Sequence, residues 1–321
     1  MAEMNLFWLE PLQNRLMEQI RRNQLAHAVL FAGAAGSGKR ELASWLAQAA
    51  LGRTPVSTSL LGLAQSSADF RHLSIAEGKK QLSVDQIREL SGDMSLSSHG
   101  GGRKIAVIEP ADKMTLAAAN SLLKTLEEPP GDALIILVAD DLNRLPATIL
   151  SRTGVLPVVP PPIPATLEWL CAQGILMQDA TEALDLAYGA PLAAQAILRS
   201  DLLASLRQIR TDLQALWDGG RNALATAAGW RKLDYQSVLM TLRFCAEAVA
   251  RTTVQPQMRN RSEFDVTNVD SRDAFCYLDS VQAAVARGDA AINKDLSLDN
   301  LVQPWAKRFR GVYQATHQFS H

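Results

Sequence analysis

Residues 33–40 read GAAGSGKR and stand between an apolar run at 28–32 and a helical pattern that begins near Lys39. A strand, a Gly-rich loop and a helix in that order form the setting in which a backbone wraps a phosphate. Gly33, Gly36 and Gly38 let the chain curl around Ser37 so that its N–H groups face one point. The following helix aims the positive end of its dipole at that point. Lys39 stands where it reaches the outer phosphate oxygens. A glycine turn ahead of an ordinary surface helix is the other reading, and the flanking strand and helix favour the phosphate loop. Gly33, Gly36, Ser37, Gly38 and Lys39 are therefore the candidate nucleotide-binding residues.

The next position departs from the pattern. Arg40 occupies the place where such loops carry Ser or Thr, whose hydroxyl helps to hold Mg²⁺. A guanidinium cannot ligate a cation. The second half of such a site is an apolar strand ending in Asp–Glu, one acid for the metal and one for the attacking water. Here the run 104–108 ends in Glu109, Pro110, Ala111 and Asp112. Glu109 is the candidate for the metal-side acid, with poorer geometry, and Pro110 cannot act as a base. Asp112 reads as the N-cap of a helix over 113–127. The expectation is an inactive strand end, with ATP and Mg²⁺ bound weakly if at all and no cofactor required.

The rest of the first half alternates in the same way. Strands are expected at 29–32, 73–76, 105–109, 134–139 and 155–159, and helices at 40–50, 83–96, 112–127 and 142–150. Short apolar runs separated by helices signal parallel strands buried on both faces, hence an α/β domain ending near residue 160. Pro160, Pro161, Pro162 and Pro164 break the pattern, and the chain beyond reads as helical. Hydrophobic residues make up 47%, too many for a disordered chain. The formal charge of −1 gives no general attraction to nucleic acid or to an anionic membrane. Basic residues at 251, 259 and 261, and at 307, 308 and 310, could touch phosphate, and a solvated helix face is the better reading. The scattered histidines, including His72, His99 and His321, read as packing or surface residues. Cys171, Cys245 and Cys276 lie far apart, which fits a reducing compartment. With no basic-then-apolar leader in residues 1–11 and no run long enough to cross a bilayer, a cytoplasmic protein without a membrane partner is expected.

Several segments together carry a resemblance. DKMTLAAANSLLKTLEEPP at 112–130, LSVDQIREL at 82–90, LAHAVLFAG at 25–33 and LPATILSRT at 145–153 resemble bacterial DNA polymerase III clamp-loader subunits of the AAA+ class. The degenerate nucleotide site points within that family to the delta-prime type. The resemblance implies an α/β AAA+ (P-loop) domain with a parallel sheet at 1–160, a helical lid at 161–200 and an all-α collar domain at 201–321. It implies tau/gamma-like and delta-like partner subunits, and through them the sliding clamp and primed DNA. Delta-prime-like chains carry a zinc module of four cysteines after the first nucleotide helix. Residues 51–71 contain no cysteine, so no zinc is expected. The lid segment GAPLAAQ at 189–195 has Leu192 where active members place Arg, so a third nucleotide-sensing element is missing.

Arg152 is the remaining candidate. From the residues alone, a charge favoured at a helix C-terminus and a group acting on a neighbour are equally good accounts. The resemblance of 151–153 to the family's Ser–Arg–Cys motif, with Thr153 for Cys, implies an arginine finger supplied in trans. The expected function is a largely non-hydrolysing subunit that organises a clamp loader and completes a neighbour's ATP site. The alternatives are a hydrolysing motor subunit and an unrelated P-loop module. Arg40, Pro110 and Leu192 stand against the first, and the segment SLLKTLEEPP at 121–130 against the second.

Overall fold

A computed structural model describes residues 6–56, 59–95, 103–200, 202–255, 264–287 and 293–317. Arg259, Arg261, His99 and His321 lie outside the described residues. The chain divides into two compact units, Met1–Gln195 and Ala196–His321.

The first unit is built on five parallel strands: β1 Ala28–Ala32, β2 Phe70–Leu73, β3 Lys104–Ile108, β4 Ala133–Ala139 and β5 Gly154–Pro157. Their order across the sheet is β2-β3-β4-β1-β5. The helices α1 Glu10–Arg21, α2 Lys39–Ala50, α3 Leu60–Ser66, α4 Val84–Ser95, α5 Leu116–Glu127 and α6 Ala147–Leu150 alternate with the strands. Because successive strand residues point to opposite faces, the central strands β1, β3 and β4 feed two cores. Val29, Phe31, Ile105, Val107, Leu134, Ile136 and Val138 pack with Leu16 of α1, Leu42 and Leu46 of α2 and Leu63 of α3. Leu30, Ala106, Ile108, Ile135 and Leu137 pack on the other face with Ile87 and Leu90 of α4 and Leu122 and Leu126 of α5. The uninterrupted apolar runs of β1 and β4 follow from this double burial.

Three expectations are corrected. β2 lies at Phe70–Leu73, three residues earlier than read, in register with Ile105–Ile108. Phe70 is fully buried, but Arg71 and His72 gave this edge strand a polar look. Arg71 reaches out to Asp93 at 2.7 Å, while His72 faces Glu109. Asp112 does not cap α5: the Thr115 side chain does, accepting from the Ala118 N–H at 3.1 Å. Asp112 is instead buried, and its Oδ1 accepts from the Asp140 N–H at 3.3 Å. The expected helix over 142–150 is two pieces, a 3-10 turn Leu142–Arg144 and α6, because Pro146 interrupts the N–H ladder.

In the cysteine-free segment after α2, one side chain holds Val56 from both sides. Gln48 donates from Nε2 to the Val56 carbonyl at 2.9 Å and accepts the Val56 N–H on Oε1 at 3.0 Å. Ser59 then caps α3. Among the described residues no group of three or more His, Cys, Asp or Glu is placed to hold a metal ion.

Helices α7 Ile163–Cys171, α8 Met177–Leu186 and α9 Pro191–Arg199 follow the proline run, whose Pro162 stands at the N-cap of α7. The second unit is helical throughout its described residues: α10 Leu202–Trp217, α11 Ala223–Trp230, α12 Tyr235–Val254, α13 Ser271–Arg287, α14 Lys294–Ala306 and α15 Val312–His317. An aromatic cluster of Trp217, Phe264, Tyr277, Trp305 and Phe309 forms the middle of its core. Each polar edge in that cluster is satisfied: Trp305 Nε1 donates to Leu213 O at 3.0 Å and Trp217 Nε1 to Asp265 O at 3.1 Å. The Tyr277 hydroxyl donates to Leu301 O at 2.9 Å. Arg308 is likewise engaged, donating from Nε to the Trp217 carbonyl. No described helix is long and apolar enough to cross a membrane.

Trp305 is fully buried, so Trp305→Ala should destabilise the second unit by about 3–5 kcal/mol, read from denaturant unfolding. A loss below about 1 kcal/mol would contradict its place at the centre of this core.

Candidate functional site

In open α/β sheets, ligand-binding groups gather beyond the carboxyl ends of the strands. Four segments meet there in this chain. The Gly-rich loop leaves β1, Glu109 follows β3, Asp140 follows β4, and Val158 follows β5. Gly38 has a left-handed φ of 102° and stands at the N-cap of α2, so the helix begins at Lys39.

The Lys39 ammonium is turned inward. Its Nζ donates to Gly33 O at 2.8 Å and to Ala34 O at 2.6 Å, and it pairs with Asp140 Oδ1 at 2.7 Å. An ammonium has three N–H donors, and these three contacts use them. The side chain is 4% exposed.

Arg40 points across the mouth of the sheet to Glu109. Its Nε donates to Glu109 Oε1, and the second carboxylate oxygen lies 3.6 Å from His72 Nε2. The Glu109 side chain is 7% exposed. Burial raises the Glu109 carboxyl pKa, but the facing His72 and the Arg40 guanidinium lower it more, so the group titrates below the usual Glu range. Lys39 and Arg40 thus face Asp140 and Glu109, and the formal charges of the four cancel.

The loop is also covered. The Leu192 N–H donates to Gly36 O at 3.0 Å, and a Cβ added to Gly36 would fall 2.6 Å from Ala193 Cβ. With φ at 80°, only glycine suits this position on both counts. Trp8 closes the other side, donating from Nε1 to Ser37 O at 2.8 Å and meeting Trp169 edge to face at 5.2 Å. The Ser37 hydroxyl is fully buried and has no hydrogen-bond partner among the described residues.

Arg152 lies apart from this cluster, just past the C-terminus of α6. Its Nε and Nη2 both contact Glu127 Oε1, at 2.7 and 2.6 Å. Its Nη1 donates to Thr148 O at 3.1 Å and to Ser151 Oγ at 3.3 Å.

The structure therefore brings Gly33, Gly36, Ser37, Gly38, Lys39, Arg40 and Glu109 together and leaves Arg152 separate. Sequence reasoning missed Asp140, Trp8 and Glu127, and took His72 for a scattered histidine. Asp140 had a usable signal, since it directly follows the strand that pairs with β1.

A parallel sheet wound on both faces, with a Gly-rich loop leading from its β1 into the first residue of α2, defines a P-loop α/β protein. Known proteins narrow the class. The family described as DNA polymerase III, delta subunit, matches residues 8–161. The DNA polymerase III subunit delta' of Pseudomonas aeruginosa is 38% identical over 198 residues, which cover 58% of this chain and 60% of that protein. The Escherichia coli subunit delta' is 32% identical over 203 residues, covering 60% of this chain and 61% of that one. The Yersinia pestis subunit delta' is 32% identical over 232 residues, covering 65% and 68%. The chain belongs to the DNA polymerase III delta-prime family. The match spans about three fifths of the length of the first two relatives.

Since the folded Glu109 carboxyl titrates below the unfolded value of about 4.3, its stabilisation is fully present above that value. It is lost as pH falls through the lower, folded value. Glu109→Gln should therefore be less stable than the parent at neutral pH, with a gap that narrows only below about pH 4.3 in thermal unfolding. A gap that does not change with pH would mean that the Glu109 charge contributes nothing to stability.

Proposed function

We propose that this chain is a clamp-loader subunit that does not hydrolyse ATP itself and that completes a neighbouring subunit's ATP site with Arg152. The observation that carries this is the internal engagement of Lys39 and Arg40. A nucleotide with Mg²⁺ does not fit the loop in this arrangement. Lys39 would have to leave two carbonyls and Asp140 to meet a phosphate. Arg40 already lies on Glu109, the acid nearest to a metal-side role, so a divalent ion there would face a guanidinium at close range. Pro110 supplies no acid to orient water, and Ala193 sits where the loop would open at Gly36.

Arg152 stands apart from the loop. It is partly exposed on a short helix end, and its planar fork suits a phosphate with two oxygens to share. Membership of the delta-prime family supports tau/gamma-like and delta-like subunits as its neighbours. In this reading residues 161–200 act as the lid and the helical block 201–321 as the collar that joins them. The assembly opens a sliding clamp and places it on primed DNA, in the cytoplasm.

The isolated chain should hydrolyse ATP at background rate, and Lys39→Ala should leave that rate unchanged. Turnover that disappears in Lys39→Ala would show a competent site. In the reconstituted clamp loader, Arg152→Ala should assemble normally but lose a measurable share of DNA- and clamp-stimulated hydrolysis. One arginine finger is worth about 10³–10⁵ in rate at its own site, and the other sites of the assembly would hide most of that. Arg152→Lys should restore little, since an ammonium cannot span two phosphate oxygens. Unchanged stimulated hydrolysis in Arg152→Ala would reduce this residue to a helix-end charge.

A further inference from the structure

The Arg152 guanidinium is almost fully occupied within its own chain. Of its five N–H donors, one on Nε and one on Nη2 go to Glu127 Oε1, and the Nη1 pair goes to Thr148 O and Ser151 Oγ. A single Nη2 hydrogen remains, too few for a two-point contact with a phosphate. Arg152 can present its fork to another molecule only after leaving Glu127.

Glu127 is placed for that exchange. It is the last residue of α5, at the negative end of the helix dipole, where a carboxylate is disfavoured unless a cation faces it. Both side chains are partly open to solvent, 35% for Arg152 and 49% for Glu127. Exposed pairs of this kind are weak and reversible, so a terminal phosphate with more charge and more oxygens can displace the carboxylate.

We infer that Glu127 is a latch for Arg152: it holds the guanidinium in its own chain and competes with the neighbour's terminal phosphate for the same N–H groups. The inference rests on the trans role of Arg152 proposed above. Glu127 is then a positioning residue whose strength sets how readily the neighbour's site is completed. In such a competition, weakening the latch raises kcat/KM for ATP whether or not the engaged state is saturated.

The test is the ATP dependence of stimulated hydrolysis by the reconstituted clamp loader, with four versions of this subunit. Glu127→Gln keeps the shape and removes the charge, so kcat/KM should rise about two- to fivefold at the site that Arg152 completes, the range for loss of an exposed ion pair, and by a smaller factor in the summed rate of the assembly. Glu127→Asp keeps the charge and should fall between the parent and Glu127→Gln. Adding Glu127→Gln to Arg152→Ala should change nothing beyond Arg152→Ala alone, because the latch then has nothing to hold. An unchanged or lowered kcat/KM in Glu127→Gln, beside a loss in Arg152→Ala, would overturn the latch and leave the trans role standing. No loss in Arg152→Ala would remove the trans role and the latch with it.

Discussion

The ammonium of Lys39 is the point on which the first unit turns. In a nucleotide-binding loop that charge faces outward to a phosphate, whereas here two carbonyls of its own loop and Asp140 hold it in. The sheet order makes this possible. β4 lies beside β1, so the residue that follows β4 emerges next to the loop that follows β1. β3 is one strand further, and the longer arginine at position 40 bridges that extra distance to Glu109. Each cation meets a carboxylate of the same chain, and the cluster is neutral without any ligand. In each pair one member is buried, Lys39 at 4% and Glu109 at 7% exposed, and taking away its more exposed partner would leave that charge unpaired.

The cover over the loop follows from the same logic. An open loop with unpaired cations would have to stay wet, but a neutral one tolerates close packing. Ala193 and the Leu192 N–H lie against Gly36, and the Trp8 indole is bonded to Ser37 O. Leu192 fits this account as a backbone contact. The Ser37 hydroxyl, the loop's one side-chain hydroxyl, is buried without a partner among the described residues.

Much of this fold was legible in the sequence, and the reasons are physical. Strands β1 and β4 are buried on both faces, so they must be continuous apolar runs, and the glycine loop between β1 and α2 has few other uses. β2 was placed late because an edge strand tolerates Arg71 and His72, each with a partner across the edge. Asp112 was misread because two good capping residues stand three apart, and local pattern does not say that Thr115 wins while Asp112 is drawn to Asp140. At the site, the loop and its faults at Arg40 and Pro110 were visible in the linear chain. Asp140, Trp8 and Glu127 were not, because each acts through a partner distant in sequence, brought near only by sheet order or by helix ends.

The central claim is that Arg40 on Glu109 stands in for the metal and that Lys39 is engaged by its own chain. Titration of ATP into the purified full-length chain, followed by calorimetry with and without Mg²⁺, tests it most directly. A cation site already filled by a guanidinium leaves Mg²⁺ nothing to bind, so the account predicts no saturable binding, or weak binding that is the same with and without the metal. Saturable binding that Mg²⁺ tightens by tenfold or more would contradict it.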